Sequence, residues 1–542
     1  MPPPRHESPA AAWKLAWLTP ARCRALLVIV LALDVAGHVN YLTNHCPADL
    51  SGDEAQYWDW SRQLDWSYYS KGPAVAYIIR ASTSLFGNTM PGVRYPAILF
   101  GVGTSILTYL LARRLFGSER LALGAVLLNH IVPMFVAGSI LMTIDPPMFF
   151  CWALATYLAA GALFDGQKWA WPFIGLAVGI GFLAKYAAML WFGGLLLFML
   201  ADPRSRPQLK TIWPWLALVV ALLMTTPVIV WNQKHGWATL HHVATQTGAS
   251  GGALSHGNFF ENIGSQFAAV GPVLSVVIIL AVLYTFDRKR SSGDPYRRRL
   301  AYLAVFGVFF FGLTMVTSLF AKVQVNWPAP AYFTLMILAA YYLGTRMHSP
   351  QSWRRWRMWF YGTIAIGLIS IPIAHDSSLL FPVVQKFNAI AHMKINPASV
   401  DLLARLRGWR LLGNHVSDQL DQLGPGSFVL CDDYQQVAET AFYTRGQPKT
   451  FYAGSYYARF KRYTQYDMWP DRRLDAPELK GRNAVFVGKG GPVPPDIAAA
   501  FERLEPLPEL PVVVRGVEIR TFKTWRGYGF KGMTRPKGNG SY

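Results

Sequence analysis

The sequence predicts an all-α polytopic membrane protein of about eleven transmembrane helices with a small C-terminal α/β soluble domain. Three observations carry this expectation. Hydrophobic residues make up 52% of the 542 residues and charged residues only 15%. The apolar residues gather in blocks such as 25–37, 272–284 and 301–316. The cations sort to alternate ends of those blocks.

A bilayer crossing takes roughly 20 mostly apolar residues. By that measure spans are expected near 23–42, 92–112, 121–141, 146–163, 169–184, 186–201, 212–230, 263–286, 300–320, 327–345 and 358–375. The pair 169–184 and 186–201 also reads as one long helix followed by irregular chain. With the N-terminus inside, the inner segments carry Arg22, Arg24, Arg113, Arg114, Arg120, Lys168, Arg204, Arg206 and Lys210. Arg288–Arg290, Arg297–Arg299, Arg346, Arg354, Arg355 and Arg357 follow on the same side. The short outer loops hold little beyond Lys185, Lys234 and Lys322. This is a positive-inside distribution. It explains the net charge of +21 without nucleic acid, which is excluded as a partner. It also puts residues 43–91, loop 231–262 and everything after 375 on the outer face. The expected domains are therefore 1–375, membrane-spanning with a structured first outer loop at 43–91, and 376–542, on the outer face. No cleavable leader is expected, so 23–42 reads as a retained anchor. Of the four cysteines only Cys46 and Cys431 fall outside, which leaves a single disulfide open.

The first outer loop has unusual content. Residues 53–66, with Trp58, Trp60, Trp66 and then Tyr68 and Tyr69, read as a short amphipathic helix at headgroup level. A second such helix follows Pro73 and ends at Gly87. Loop 231–262 is Gly- and His-rich and reads as flexible, either a lid or simple disorder. Beyond 375 strand and helix patterns alternate. SFVLCDD reads as a strand, QQVAETAFYTRG as a helix, RNAVFVGKG as a strand, PPDIAAAFERL as a helix, and PVVVRGVEIRTF as one strand or a pair.

Several residues could carry chemistry. Asp53 and Glu54 are adjacent carboxylates just past the first span. They read either as a helix cap or as a general base at the membrane surface. Lys71, before Gly72-Pro73, reads as a phosphate ligand or a snorkelling cation. Asp145, before Pro146-Pro147, is a carboxylate near membrane depth and equally a helix cap. Lys185, Arg94, Lys322 and Asn326-Trp327-Pro328 all meet the membrane on the outer side. Two carboxylate sites and several cations on one face suit an anionic substrate anchored in lipid. His235, His241, His242 and His256 lack metal-ligand spacing, and no metal site is expected. Asp432-Asp433 reads as a turn or helix cap.

Residues 51–101, SGDEAQYWDWSRQLDWSYYSKGPAVAYIIRASTSLFGNTMPGVRYPAILFG, resemble the first outer loop of the GT-C superfamily of membrane glycosyltransferases. The resembling branch is dolichyl-phosphate-mannose–protein mannosyltransferase-like. It includes bacterial transferases that add aminoarabinose or galacturonic acid to lipid A. TIDPPMFFCWALATYL, GIGFLAKYAAMLW, PVIVWNQKHGW and KVQVNWPAPAY resemble the same branch. The resemblance implies a polyprenyl-phosphate-linked sugar donor, a glycolipid or glycan acceptor, and inverting transfer at the outer face of a bacterial inner membrane. It implies catalytic roles for Asp53, with Glu54 beside it, and for Asp145. It implies contact with the donor phosphate by Lys71, supported by Lys185, Arg94 and Tyr69. Ser70 stands where lipid A transferases carry an acidic residue, and Gly72 where they carry the first Pro of Lys-Pro-Pro. With those departures a divalent metal stays an open alternative. Rival readings are a lipid-linked sugar flippase, a protein O-mannosyltransferase and a non-catalytic scaffold.

Overall fold

The computed structural model describes residues 17–246, 257–347, 353–458 and 463–536. The chain forms two compact units. One holds Met1–Leu42, Lys71–Ala74 and Arg94–Ala374, the other Thr43–Ser70, Val75–Val93 and His375–Tyr542.

The first unit is helical. Among the described residues, six helices of the chain are long and apolar enough to cross a membrane. They are Pro20–His45, Met90–Phe116, Asp145–Phe164, Ile212–Lys234, Arg297–Phe320 and Arg354–His375. A seventh candidate is the pair Phe259–Val270 and Pro272–Phe286, bent by 105°. The bend falls at Gly271, whose φ of 95° favours glycine, with a proline directly after it. The expected count of about eleven therefore differs from the number of unbroken membrane-length helices. The stretch 121–141 ends as a helix at His130 and restarts at Pro133 as the six-residue Pro133–Gly138. The stretches 169–184 and 186–201 are short helices separated by Lys185, whose backbone is extended. Helix Ala329–Arg346 is buried from Ala329 through Gly344, so it is an internal element. In contrast, only 11% of the apolar window is buried in Pro20–His45 and in Arg354–His375, which leaves them as outer helices.

The core of this unit is aromatic. Trp152, Trp171, Trp191, Tyr302 and Phe306 are buried together. Their polar atoms are satisfied at Thr156: Tyr302 donates to its carbonyl at 2.6 Å and Trp191 to its hydroxyl at 3.0 Å. In an apolar interior an unmet N–H or O–H costs a large part of what burial gains. Basic residues at helix ends find carboxylates, as Arg298 does with Asp202 at 2.8 Å and Arg114 with Asp165 at 3.3 Å.

The second unit contains one mixed sheet in the order β2-β1-β3-β6-β4, with β5 paired to β6. Its strands are β1 Phe428–Cys431, β2 Thr450–Tyr452, β3 Ala484–Gly488, β4 Phe501–Pro506, β5 Leu510–Val514 and β6 Val517–Phe530. β1 pairs in parallel with β2 and β3, and helix Tyr434–Tyr443 lies in the chain between β1 and β2. The expected pattern appears with one correction. The helix expected over PPDIAAAFERL stops at Ala499, and Phe501 onward is a strand paired with β6. Sheet pairing overrides local propensity there. PVVVRGVEIRTF is a strand pair, turning at Arg515 and Gly516, both with positive φ. No disulfide joins Cys46 to Cys431. Cys431 is buried in β1, and the Cys46 thiol donates to the Ala48 carbonyl.

The first outer loop is part of this unit's packing. Helix Gly52–Ser61 buries every residue from Glu54 to Ser61. Trp58 meets the edge of Phe442, and its indole N–H donates to Asn88 at 3.0 Å. Trp60 stacks on Tyr68 at 4.5 Å. These rings are core residues, where headgroup anchors were expected; Trp66 is the exposed one. The reason is a partner remote in sequence. Asp59 is fully buried and paired with Arg472, itself 2% exposed, at 3.1 Å. Removing Arg472 leaves buried Asp59 with only the more exposed Arg62, at 3.3 Å. Arg472→Met is therefore expected to cost this unit about 3 kcal/mol. A thermal melt of the detergent-solubilised protein reads it, and an unchanged midpoint would deny the pair its role.

Candidate functional site

In the helical unit the polar centre is Asp145. It opens helix Asp145–Phe164, with Pro146 and Pro147 supplying fixed φ to the first turn. One carboxylate oxygen accepts from Lys185 Nζ at 2.7 Å, the other from Asn326 Nδ2 at 2.7 Å. Its backbone N–H donates to the Thr143 hydroxyl at 3.3 Å. Each residue sits at a discontinuity: a helix start, the break after Ala184, and the turn before Ala329. Breaks supply backbone that leaves a helix axis, so polar side chains can converge. The segment Lys71–Ala74 presses on the same break. A Cβ built on Gly72 would lie 2.1 Å from the Leu183 carbonyl oxygen, so only glycine allows this approach. Lys71 is partly exposed. Arg94 is completely buried at the start of its span, whereas Lys322 is exposed.

In the second unit the adjacent carboxylates are separated by geometry. Ser51 and Glu54 form a capping box. The Ser51 hydroxyl accepts from Glu54 N–H at 3.3 Å, and a Glu54 carboxylate oxygen accepts from Ser51 N–H at 2.9 Å. Glu54 is fully buried in this cap. Asp53, one residue earlier, is exposed and accepts from Gln435 Nε2 at 3.4 Å. The start of the helix lies close on Gln435: a Cβ on Gly52 would sit 2.7 Å from Gln435 Cβ. Tyr69 is buried, and its N–H donates to Gln465 Oε1 at 2.7 Å. Asp433 caps Tyr434–Tyr443 and pairs with Lys489 at 2.8 Å.

One turn beyond Gln435, on the same helix, lies Glu439. It is 2% exposed, and its Oε2 accepts no hydrogen bond among the described residues. Burial pushes its pKa well above the ordinary carboxylate value; Arg520 opposes this, and Asp433, Asp53 and Asp49 add to it. The Glu439 carboxyl therefore lies within the field of Asp53.

Among the described residues no group of three His, Cys, Asp or Glu is arranged to hold a metal. His256 lies outside the described residues. His241 and His242 stand on helix Ala238–Gln246, within a loop expected to be flexible. The sequence reading passed over a polar group in the first span. His38 Nδ1 lies 3.3 Å and His130 Nε2 3.7 Å from the same Asp34 oxygen. The signal was present, since an Asp and a His four residues apart inside an apolar run are costly in a membrane.

These features define a class: a polytopic helical protein carrying a carboxylate–ammonium centre, with a mixed α/β unit that includes its first outer loop. Comparison with known proteins narrows it. Residues 70–231 match the family described as dolichyl-phosphate-mannose-protein mannosyltransferase. The lipid A galacturonosyltransferase RgtD of Rhizobium johnstonii is 28% identical over 432 residues, covering 79% of this chain and 85% of that one. An undecaprenyl phosphate-alpha-4-amino-4-deoxy-L-arabinose arabinosyl transferase of Pseudomonas fluorescens is 31% identical over 169 residues, 30% of each chain. The structure of ArnT from Cupriavidus metallidurans bound to undecaprenyl phosphate shares the fold. Its TM-score is 0.61 at 16% identity, covering 93% of this chain and 97% of that one. In sequence and fold the chain is thus similar to membrane glycosyltransferases that these names describe.

Two outcomes are expected from this geometry. Lys185→Met should destabilise the helical unit by about 3 kcal/mol, and the double variant with Asp145→Leu should recover most of it. Thermal midpoints of the three proteins test this; a double variant as unstable as the single one contradicts it. Glu439 binds its proton more tightly folded than unfolded, where a carboxyl titrates near about 4.3. Its stabilising protonated form is thus lost as pH rises through the folded value, and wild-type stability falls. Glu439→Gln should gain on wild type between pH 5 and pH 8, by at most about 1.4 kcal/mol per pH unit. Parallel melting curves across that range would refute it.

Proposed function

We propose that this protein transfers a sugar from a polyprenyl-phosphate carrier to an envelope glycolipid of the lipid A type, with inversion. Support comes first from the likeness along most of both chains to a lipid A galacturonosyltransferase. The fold shared with a protein bound to undecaprenyl phosphate agrees with it. The site chemistry fits. In the transfer the bond from anomeric carbon to phosphate oxygen breaks and its electron pair leaves with the phosphate. The acceptor oxygen attacks from the opposite face and loses its proton.

Asp53 is the proposed base, because its carboxylate is exposed while Glu54 is committed to the cap. Lys71 is the proposed ligand of the leaving phosphate. Asp145, with Lys185 and Asn326, is proposed to hold the outer ends of three helical elements in register. Arg94 and Tyr69 are assigned supporting positions near the donor. The bent pair, the short apolar helices Ala170–Ala184 and Tyr186–Ala201, the broken stretch 119–138 and the helix Ala329–Arg346 are taken as further crossings beside the six long helices, which restores eleven. The N-terminus is then cytoplasmic and the mixed-sheet unit periplasmic, at the bacterial inner membrane.

Purified protein incubated with a polyprenyl-phosphate sugar and envelope glycolipid tests the proposal by mass spectrometry of the lipid. Asp53→Asn is expected to lower turnover on the order of 100-fold or more. Lys71→Ala should weaken donor binding by about tenfold or more. Full turnover by the first variant would remove Asp53 as base, and unchanged donor affinity in the second would remove the phosphate role.

A further inference from the structure

The helical unit holds a cavity of about 820 Å³ of non-atom space, counting its open mouth. Part of its lining is apolar, from Phe100, Phe135, Phe149, Trp152 and Phe333. Another part is polar, from Asp34, His38, Thr104, Asn129, His130 and Ser139. Pro146 and Ala329 also line it. They belong to the helix starts beside Asp145 and Asn326, so the cavity runs alongside the carboxylate–ammonium centre.

Several hydrogens of the polar lining are already given. The Thr104 hydroxyl donates to the Phe100 carbonyl at 2.8 Å, and the Ser139 hydroxyl to the Val136 carbonyl at 2.8 Å. Thr104 therefore turns lone pairs to its surroundings, and Ser139 Oγ also lies 3.4 Å from His38 Nε2. His130 Nδ1 donates to the Val126 carbonyl at 2.9 Å, and its Nε2 faces Asp34. Asn129 gives an N–H to the Thr108 hydroxyl at 3.1 Å. Its Oδ1 is buried and accepts no hydrogen bond among the described residues, and Asn129 as a whole is 8% exposed. A buried carbonyl without a donor costs about 1–3 kcal/mol. Such a lining is matched by a ligand that donates. An anionic phosphate has only acceptors to offer, a bare hydrocarbon leaves Asn129 unmet, and an ammonium would find its counter-charge in Asp34, one oxygen of which His38 and His130 already face. A hydroxyl on an aliphatic chain meets both the polar and the apolar lining at once.

We propose that this cavity binds a hydroxylated aliphatic chain of the acceptor lipid, with Asn129 Oδ1 accepting from the chain hydroxyl. The inference deepens the proposed transfer by naming a feature of its acceptor, and rests on that reading only for the word acceptor. A plain polyprenyl chain has no such hydroxyl, so the cavity discriminates acceptor from donor. Asn129 and Ser139 act in binding and touch no reacting atom.

The test needs no sugar donor, so its result is independent of whether transfer occurs. Full-length protein in detergent is titrated with N-(3-hydroxytetradecanoyl)glucosamine and with N-tetradecanoylglucosamine, which differ by one hydroxyl. Wild type should bind the hydroxylated probe about tenfold or more tightly, as a site built around a hydroxyl rejects the analogue lacking it. Asn129→Leu should bind both probes equally, with affinity for the plain chain retained. Ser139→Ala, a smaller change, should narrow the preference and covers the case in which Asn129→Leu fails to fold. Equal wild-type affinities overturn the proposal, and so does an undiminished preference in either folded variant.

Discussion

A largely buried carboxylate in an apolar helical unit must be paired, and Asp145 is paired twice. Lys185 and Asn326 each take one of its oxygens at 2.7 Å. The three partners come from three separate discontinuities in the helical unit, so meeting this requirement ties together elements far apart in sequence. The helix start at Asp145, the extended residue at Lys185 and the turn before Ala329 follow as one arrangement. Broken helices, which length alone would count against a membrane protein, are here the means of bringing polar groups to one place. Gly72 belongs to the same arrangement, because its missing side chain lets the Lys71 segment reach the Leu183 carbonyl.

The mixed-sheet unit solves a parallel problem with different parts. Asp59 is fully buried with Arg472 buried beside it and Arg62 at 3.3 Å, and the pair with Arg472 joins the segment of residues 52–61 to the unit's interior. The consequence reaches the adjacent carboxylates. With the helix entry anchored, Ser51 and Glu54 close the cap, and Asp53 is turned out to solvent next to Gln435. Glu54 is committed to the cap, and its neighbour faces solvent. The distinction rests on one residue of helical phase, a rotation of about 100°.

Much was legible beforehand because it is local. Apolar blocks of membrane length, the sorting of arginines to one set of ends, and the strand–helix alternation after residue 375 depend on neighbours within a few turns. The cap at Ser51 uses signals of the same short range, whereas the bend at Gly271 falls inside the single span expected over 263–286. What could not be read was pairing across long separations. The indole of Trp58 looks like a headgroup anchor until Phe442 and Asn88 are beside it. PPDIAAAFERL looks helical throughout until β6 offers its tail a partner. The Asp34–His38–His130 group was half visible: the first two share a helix face, but His130 arrives from another helix.

By itself the sequence determined the expectation of a membrane protein with Asp53, Lys71, Asp145 and Lys185 on one face, and the glycosyltransferase superfamily it resembles. Those conclusions need only composition, charge order and motif, which are properties of the chain read in one dimension. Only the tertiary structure decided that Asp145 binds Lys185 and Asn326, that Glu54 is a cap while Asp53 is not, and that an acceptor-lined cavity flanks the centre. These depend on which groups are brought within about 3 Å of one another. At that range hydrogen bonding and desolvation set what a side chain can do.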